Sequence, residues 1–124
     1  MDLSIVIVNY NVFDDVLECI GSINNNIKKL DYEIIVVDNN SANRDIEKLS
    51  DYFPGVKLIL NSDNRGFGHA NNIGVSKASG DYIVLVNPDI IFTDNSLEIM
   101  YEFINTNSNI GVVGPVQVKP NSGI

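Results

Sequence analysis

Four short polar clusters hold most of the side chains able to do chemistry in this 124-residue chain. They are Asn9-Tyr10-Asn11, Asp38-Asn39-Asn40-Ser41, Asn64-Arg65-Gly66-Phe67-Gly68 and Asn87-Pro88-Asp89. Three follow directly on apolar, β-branched runs, and the Arg65 cluster follows its run across a short polar loop. That placement matters, because ligands of open α/β sheets bind just outside the carboxyl ends of the strands. The clusters offer amides and carboxylates for hydrogen bonding, an aromatic face in Tyr10, and one of only two arginines in the chain. Gly66 and Gly68 would let backbone approach a ligand closely. The same residue types are also ordinary turn chemistry: Asp38 as a turn or N-cap aspartate, Asn87-Pro88 as a strand-ending Asx-Pro turn.

The elements that must position these clusters follow from periodicity. Residues 3–8, 33–37, 56–60 and 82–86 are strand-like runs, the first two nearly all apolar as in strands buried on both faces. Between residues 12 and 27, Val16, Leu17, Ile20, Ile23 and Ile27 recur at helical spacing, with Cys19 beside the stripe as a small buried hydrophobe. A second amphipathic stretch runs through Ile46, Leu49 and Phe53 and is closed by Pro54-Gly55. Residues 61–68 read as a polar loop, 69–77 as a short helix with Asn71 and Asn72 near its start and an exposed His69, and 96–104 as a further helix. Residues 111–118 read as one more strand, whose edge would favour self-association. Alternating strands and helices imply an α/β fold with an open, mostly parallel, Rossmann-like sheet and flanking helices. All four clusters then share one rim.

Composition narrows the partners. At 44% hydrophobic residues, a chain of this length buries roughly two thirds of its unfolded surface as one domain, residues 1–124. Sixteen carboxylates against eight Lys plus Arg leave a net charge of −8, a field that repels phosphate backbones and excludes nucleic acid as a partner. A small anionic ligand remains compatible, since backbone N–H groups and a local cation bind it. One cysteine and one histidine exclude a disulfide and a cysteine zinc cluster. No apolar run approaches the roughly 20 residues of a membrane span, and the start lacks a basic leader, so a soluble, cytoplasmic chain is expected. Eighteen asparagines are dispersed among apolar runs, so no low-complexity tract is present.

Known signatures fail at this rim. No glycine-rich turn follows the first run, Gly66-Phe67-Gly68 has Asn71 where a dinucleotide motif needs its third glycine, and no P-loop or nucleophile–histidine motif occurs. The sequence instead resembles family 2 glycosyltransferases of the GT-A fold. The resemblance lies in Ser4-Ile5-Val6-Ile7-Val8-Asn9-Tyr10-Asn11, Val36-Val37-Asp38-Asn39-Asn40-Ser41, Asn64 through Gly74, and Gly80 through Asp89, in that order. It covers residues 3–117, the nucleotide-sugar-binding half. Gly-Phe-Gly with Asn71-Asn72, and Asn-Pro-Asp in place of Asp-x-Asp, are most similar to the rhamnosyltransferase-like branch.

The resemblance implies a donor site for a UDP- or dTDP-sugar. Asp38 would accept the N3–H that uracil and thymine carry and cytosine lacks. Tyr10 would stack on the base, with Asn9, Asn11 and Asn40 near its edge or the ribose. Arg65 would meet the diphosphate or the base; Gly66, Phe67, Gly68 and Asn72 would bound the nucleotide. Asp89 matches the metal-binding carboxylate of Asp-x-Asp, so a divalent cation, Mn or Mg, is implied. Asn87 replaces the first aspartate of that motif, which removes one ligand charge. The implied reaction is inverting sugar transfer to a hydroxyl of a glycan or lipid-linked acceptor. No carboxylate follows Glu102, so the general base is expected beyond Ile124, with the acceptor-binding half absent from this chain. The competing expectation is a non-catalytic nucleotide-binding or assembly module.

Overall fold

The computed structural model describes residues 1–115. Among these residues the apolar runs form four strands, β1 (Leu3–Asn9), β2 (Tyr32–Asp38), β3 (Lys57–Leu60) and β4 (Tyr82–Val86). All pair in parallel, in the order β3-β2-β1-β4. Every residue of β1 is buried, and every residue of β2 after Tyr32, as their nearly continuous apolar sequence demands of central strands covered on both faces. Both strands run on into the polar residue that ends the apolar run, so that Asn9 and Asp38 are register partners on the last rung.

Among the described residues four helices cover the sheet: α1 (Phe13–Asn26), the single-turn α2 (Leu49–Tyr52), α3 (Phe67–Ser76) and α4 (Ser96–Thr106). On one face Ile5, Ile7, Ile34, Val36 and Val86 pack with Val16, Ile20 and Ile23 of α1, with Ile46 and Leu49, and with Leu97 of α4. On the other, Val8, Ile35 and Val37 meet Ala70 and Ile73 of α3. Each Val, Leu or Ile side chain among them contributes about 1.5–3 kcal/mol when fully buried. Helix α3 lies so close to the sheet that a β-carbon on Gly74 would strike the Val6 side chain. No helix among the described residues is long and apolar enough to cross a membrane.

The structure corrects three expectations. The second amphipathic stretch is a 3-10 turn, Asp45–Lys48, leading into α2; with only Ile46 and Leu49 buried, it has too short an apolar face for a longer helix. Helix α3 starts at Phe67 rather than residue 69, because Gly66 takes φ 94 and ψ 168, a backbone region essentially restricted to glycine, and turns the chain early. Phe67 and Gly68 are therefore helical. The expected strand over 111–118 is not formed by residues 111–115, where Val112 is 89% exposed; Gly111, Gly114 and Pro115 interrupt its short apolar run, and proline lacks the ladder N–H. The edge expected there for self-association is likewise not formed by those residues, and 116–118 lie outside the described residues.

Candidate functional site

The residues after β1, β2 and β4, together with the loop that leads from β3 into α3, surround a cleft of about 570 Å³. Tyr10, Asn39, Asn64, Gly66 and Phe67 line it, together with Asn87-Pro88-Asp89. Tyr10 and Phe67 are both about half exposed, so two aromatic rings open on the same cleft. The start of α3 has no side-chain cap, leaving the first-turn N–H groups beside Gly66 as donors.

Behind the cleft lies a buried polar network that fixes the loops after β1 and β2. Asp38 Oδ1 accepts hydrogen bonds from Asn9 Nδ2 at 2.8 Å and Ser41 Oγ at 2.6 Å, and Oδ2 accepts one from the Ser41 backbone N–H at 3.0 Å. Ser41 Oγ in turn accepts the Asn11 backbone N–H at 3.0 Å, and Asn11 Oδ1 accepts that of Ala42 at 2.8 Å. Asn9 Oδ1 accepts the Val12 N–H at 3.2 Å. Asn11 and Asn40 sit at φ 59 and 62, left-handed positions that asparagine tolerates better than other non-glycine residues. Tyr10 is held between two anchored asparagines while its ring stays in solvent. Asp38 is 4% exposed, and its three bonds leave acceptor capacity on Oδ2 alone.

A second buried amide, Asn39, organises the α3 side. Its Nδ2 donates to Asn64 Oδ1 at 2.9 Å and to the Gly66 carbonyl at 3.2 Å, and its Oδ1 accepts from Asn61 Nδ2 at 3.3 Å. Asn64 Oδ1 also takes the Gly66 N–H at 2.9 Å, so the glycine corner that starts α3 hangs from the end of β2. Sequence reading did not single out Asn39; strand alternation was the available signal, since consecutive residues at a strand end point to opposite sides. Asp15 was also missed. It lines the cleft from the first turn of α1, a place where a carboxylate also suits the helix dipole.

Asn87 and Asp89 are exposed at the mouth of β4. Among the described residues no group of three or more His, Cys, Asp or Glu side chains could hold a metal ion. The donor set in the cleft is the Asp89 carboxylate, the neutral Asn87 amide and Asp15. That set fits a hard divalent cation only where a phosphate ligand and water supply the remaining oxygens. Beneath the turn, Cys19 is fully buried with Sγ 4.0 Å from the Asn87 carbonyl. Burial, and then the charge of Asp89, push its thiol up to about 12, so it remains a protonated donor.

Of the residues singled out in the sequence, Tyr10, Gly66, Phe67, Asn87 and Asp89 line the cleft, and Asn9, Asn11 and Asp38 support it from behind. Asn40, Gly68 and Asn72 are exposed and stand outside its lining. Arg65 is also outside it, turned to Asp63 at 3.0 Å on the surface.

Open parallel strands whose carboxyl ends ring a cleft of aromatic and polar side chains define an α/β domain with its ligand-binding edge at that rim. The chain belongs to glycosyltransferase family 2: the family model described as Glycosyl transferase family 2 matches residues 4–123. It is 33% identical over 115 residues to the dolichol-phosphate mannosyltransferase of Pyrococcus furiosus, covering 90% of this chain and 32% of that protein. It is also 33% identical over 129 residues to the poly(ribitol-phosphate) beta-glucosyltransferase of Bacillus spizizenii, covering 100% of this chain and 20% of that one. The chain thus spans a third or less of the length of either relative. Among solved structures, S. aureus TarS 1-349 in complex with UDP superposes with a TM-score of 0.73 at 22% identity over 85% of this chain and 32% of that one. The complex of the same protein with UDP-GlcNAc gives 0.70 at 23% identity, over 85% and 31%. These likenesses show the GT-A fold. Enzymes of the family generally use a divalent cation.

Proposed function

We propose that this chain is the donor-binding part of a glycosyltransferase, taking a UDP- or dTDP-sugar for inverting transfer to an acceptor hydroxyl. The observation that carries this reading is the convergence of the Tyr10 ring, the uncapped start of α3 and the Asp89 carboxylate on one cleft of a family 2 chain. Tyr10 stacks on the base. Asp38 accepts its N3–H through the acceptor capacity left on Oδ2, and the Asn9 and Ser41 bonds hold that carboxylate in place. Gly66 and Phe67 bound the phosphates, with the first N–H groups of α3 as donors. Asp89, with Asn87 beside it, holds the divalent cation, Mn or Mg, which when bound stabilises charge on the departing diphosphate.

Acceptor contacts and the general base are assigned to another part of the protein, in keeping with the share of the relatives that this chain spans. One relative is named for dolichol phosphate and the other for poly(ribitol phosphate), which supports a lipid-linked or polymeric acceptor; a cytoplasmic location belongs to the same proposal. The Gly-Phe-Gly and Asn-Pro-Asp sequences support the rhamnosyltransferase-like branch.

Calorimetric titration with UDP, dTDP and CDP tests this reading. UDP and dTDP are expected to bind at least ~10-fold more tightly than CDP, as suits a hydrogen bond to a charged acceptor. Tyr10→Ala should weaken UDP about tenfold, the size of one base–aromatic stack. Equal affinity for UDP and CDP would remove base selection, and an unaffected Tyr10→Ala would remove the stack.

A further inference from the structure

Helix α1 holds the segment that follows β4 through a polar stripe in its otherwise apolar face. Cys19, Ser22 and Asn26 are spaced i, i+3 and i+7, which puts them on one side of the helix. Ser22 Oγ accepts the Phe92 N–H at 3.0 Å while donating to the Cys19 carbonyl at 2.7 Å. Asn26 Nδ2 donates to the Phe92 carbonyl at 2.9 Å and to the Ser22 carbonyl at 2.8 Å. Both backbone groups of Phe92 are therefore taken by α1. At the other end of the segment, the Cys19 thiol makes a weak contact with the Asn87 carbonyl at 4.0 Å. Asn87 O also accepts the Ile90 N–H at 3.1 Å, closing the turn that carries Pro88 and Asp89. Residues 87–92 belong to no strand or helix, so these contacts and the partial burial of Ile90 and Phe92 set where that turn stands.

We propose that Ser22 and Asn26 are positioning residues for Asp89, clamping the far end of the segment to α1 so that its carboxylate is presented at the cleft. The proposal rests on the reading of Asp89 as a cation ligand. A clamp of this kind acts on the cation and not on the base, because Tyr10 and Asp38 are anchored through a separate network. Misplacement on the scale of 1 Å is enough to cost ~100-fold in a geometry-dependent step.

The test compares the parent chain with Asn26→Ala, Ser22→Ala and Ser22→Thr. UDP is titrated with and without manganese, and hydrogen exchange is followed at residues 90–92. In both alanine variants, metal-free UDP affinity should stay within about twofold of the parent, while the affinity gained from manganese falls at least fivefold and exchange at residues 90–92 quickens. Ser22→Thr, which keeps the hydroxyl, should retain both. Asn26→Ala, at the half-buried end of α1, decides the matter if Ser22→Ala disturbs folding. A parent without any manganese gain refutes the Asp89 reading and this inference with it. A parent gain kept in full by Asn26→Ala, or lost in equal proportion with metal-free UDP affinity, refutes the inference alone.

Discussion

In Asp38→Ala, the melting temperature is expected to fall by roughly 10 °C or more. The substitution orphans the Ser41 N–H and the Ser41 hydroxyl and leaves Asn9 Nδ2 only its 3.2 Å bond to Ser41 Oγ, in a site with almost no solvent access. Each orphaned buried donor costs about 1–3 kcal/mol, so with Asn9 still bonded to Ser41 the two Ser41 donors bring the loss to roughly 3–5 kcal/mol. That is a large share of the 5–15 kcal/mol, approximately, that holds a typical domain together. Asp38→Asn separates this structural role from recognition. It keeps the shape and one acceptor oxygen, so the stability loss should be about 1–2 kcal/mol. Its amide offers a donor where the carboxylate offered an acceptor, so the preference for UDP over CDP should vanish or reverse, cytosine having an acceptor at N3. Thermal melts and calorimetry read the two effects independently. A melting temperature of Asp38→Ala within experimental error of the parent would show that the network does not hold the rim, and an unchanged UDP preference in Asp38→Asn would release Asp38 from base selection.

The second large effect concerns Asp89. Manganese and UDP are expected to bind with positive coupling, because the diphosphate supplies most of the anionic oxygens and Asp89 adds the protein's principal contact. Asp89→Ala should abolish that coupling, a loss of about tenfold or more in UDP affinity at saturating manganese, with metal-free UDP binding nearly unchanged. Asn87→Asp should strengthen manganese binding, since it restores a charge that the neutral amide lacks. Calorimetric titration of the three proteins with and without manganese makes the comparison. Coupling that survives Asp89→Ala would mean that this aspartate only ends a strand.

The framework of the protein was legible because it depends on patterns that periodicity exposes. The β-branched runs of β1 and β2 admit little but buried strands, and the spacing of Val16, Ile20 and Ile23 admits a helix on one face of them. The strand-end rule then put Tyr10, Gly66, Phe67, Asn87 and Asp89 on one rim, and they line one cleft. Whether a polar residue faces that cleft or a neighbour was not legible. Asn9 looks like a ligand-binding residue by type, and the parallel register that makes it the partner of Asp38 turns its amide to that carboxylate, leaving Asp38 acceptor capacity on Oδ2 alone. The start of α3 was misplaced because it depends on the φ of a single glycine, Gly66. Ser22 and Asn26 gave no signal, since their partners are backbone atoms far along the chain. Asn39 escaped for a related reason: its bonds to Asn61, Asn64 and Gly66 exist only once β3 lies beside β2.

The most direct measurement is an amide chemical-shift map of the chain labelled with nitrogen-15, titrated with UDP in the presence of magnesium. If the cleft at the strand ends binds the nucleotide, the perturbed amides will be those of Tyr10, Asn39, Gly66, Phe67 and Asp89, which line it, while amides at the opposite ends of the strands, such as Leu3 and Tyr82, stay in place. Saturating UDP that leaves the first set unmoved, or that shifts residues away from the cleft instead, would contradict the account.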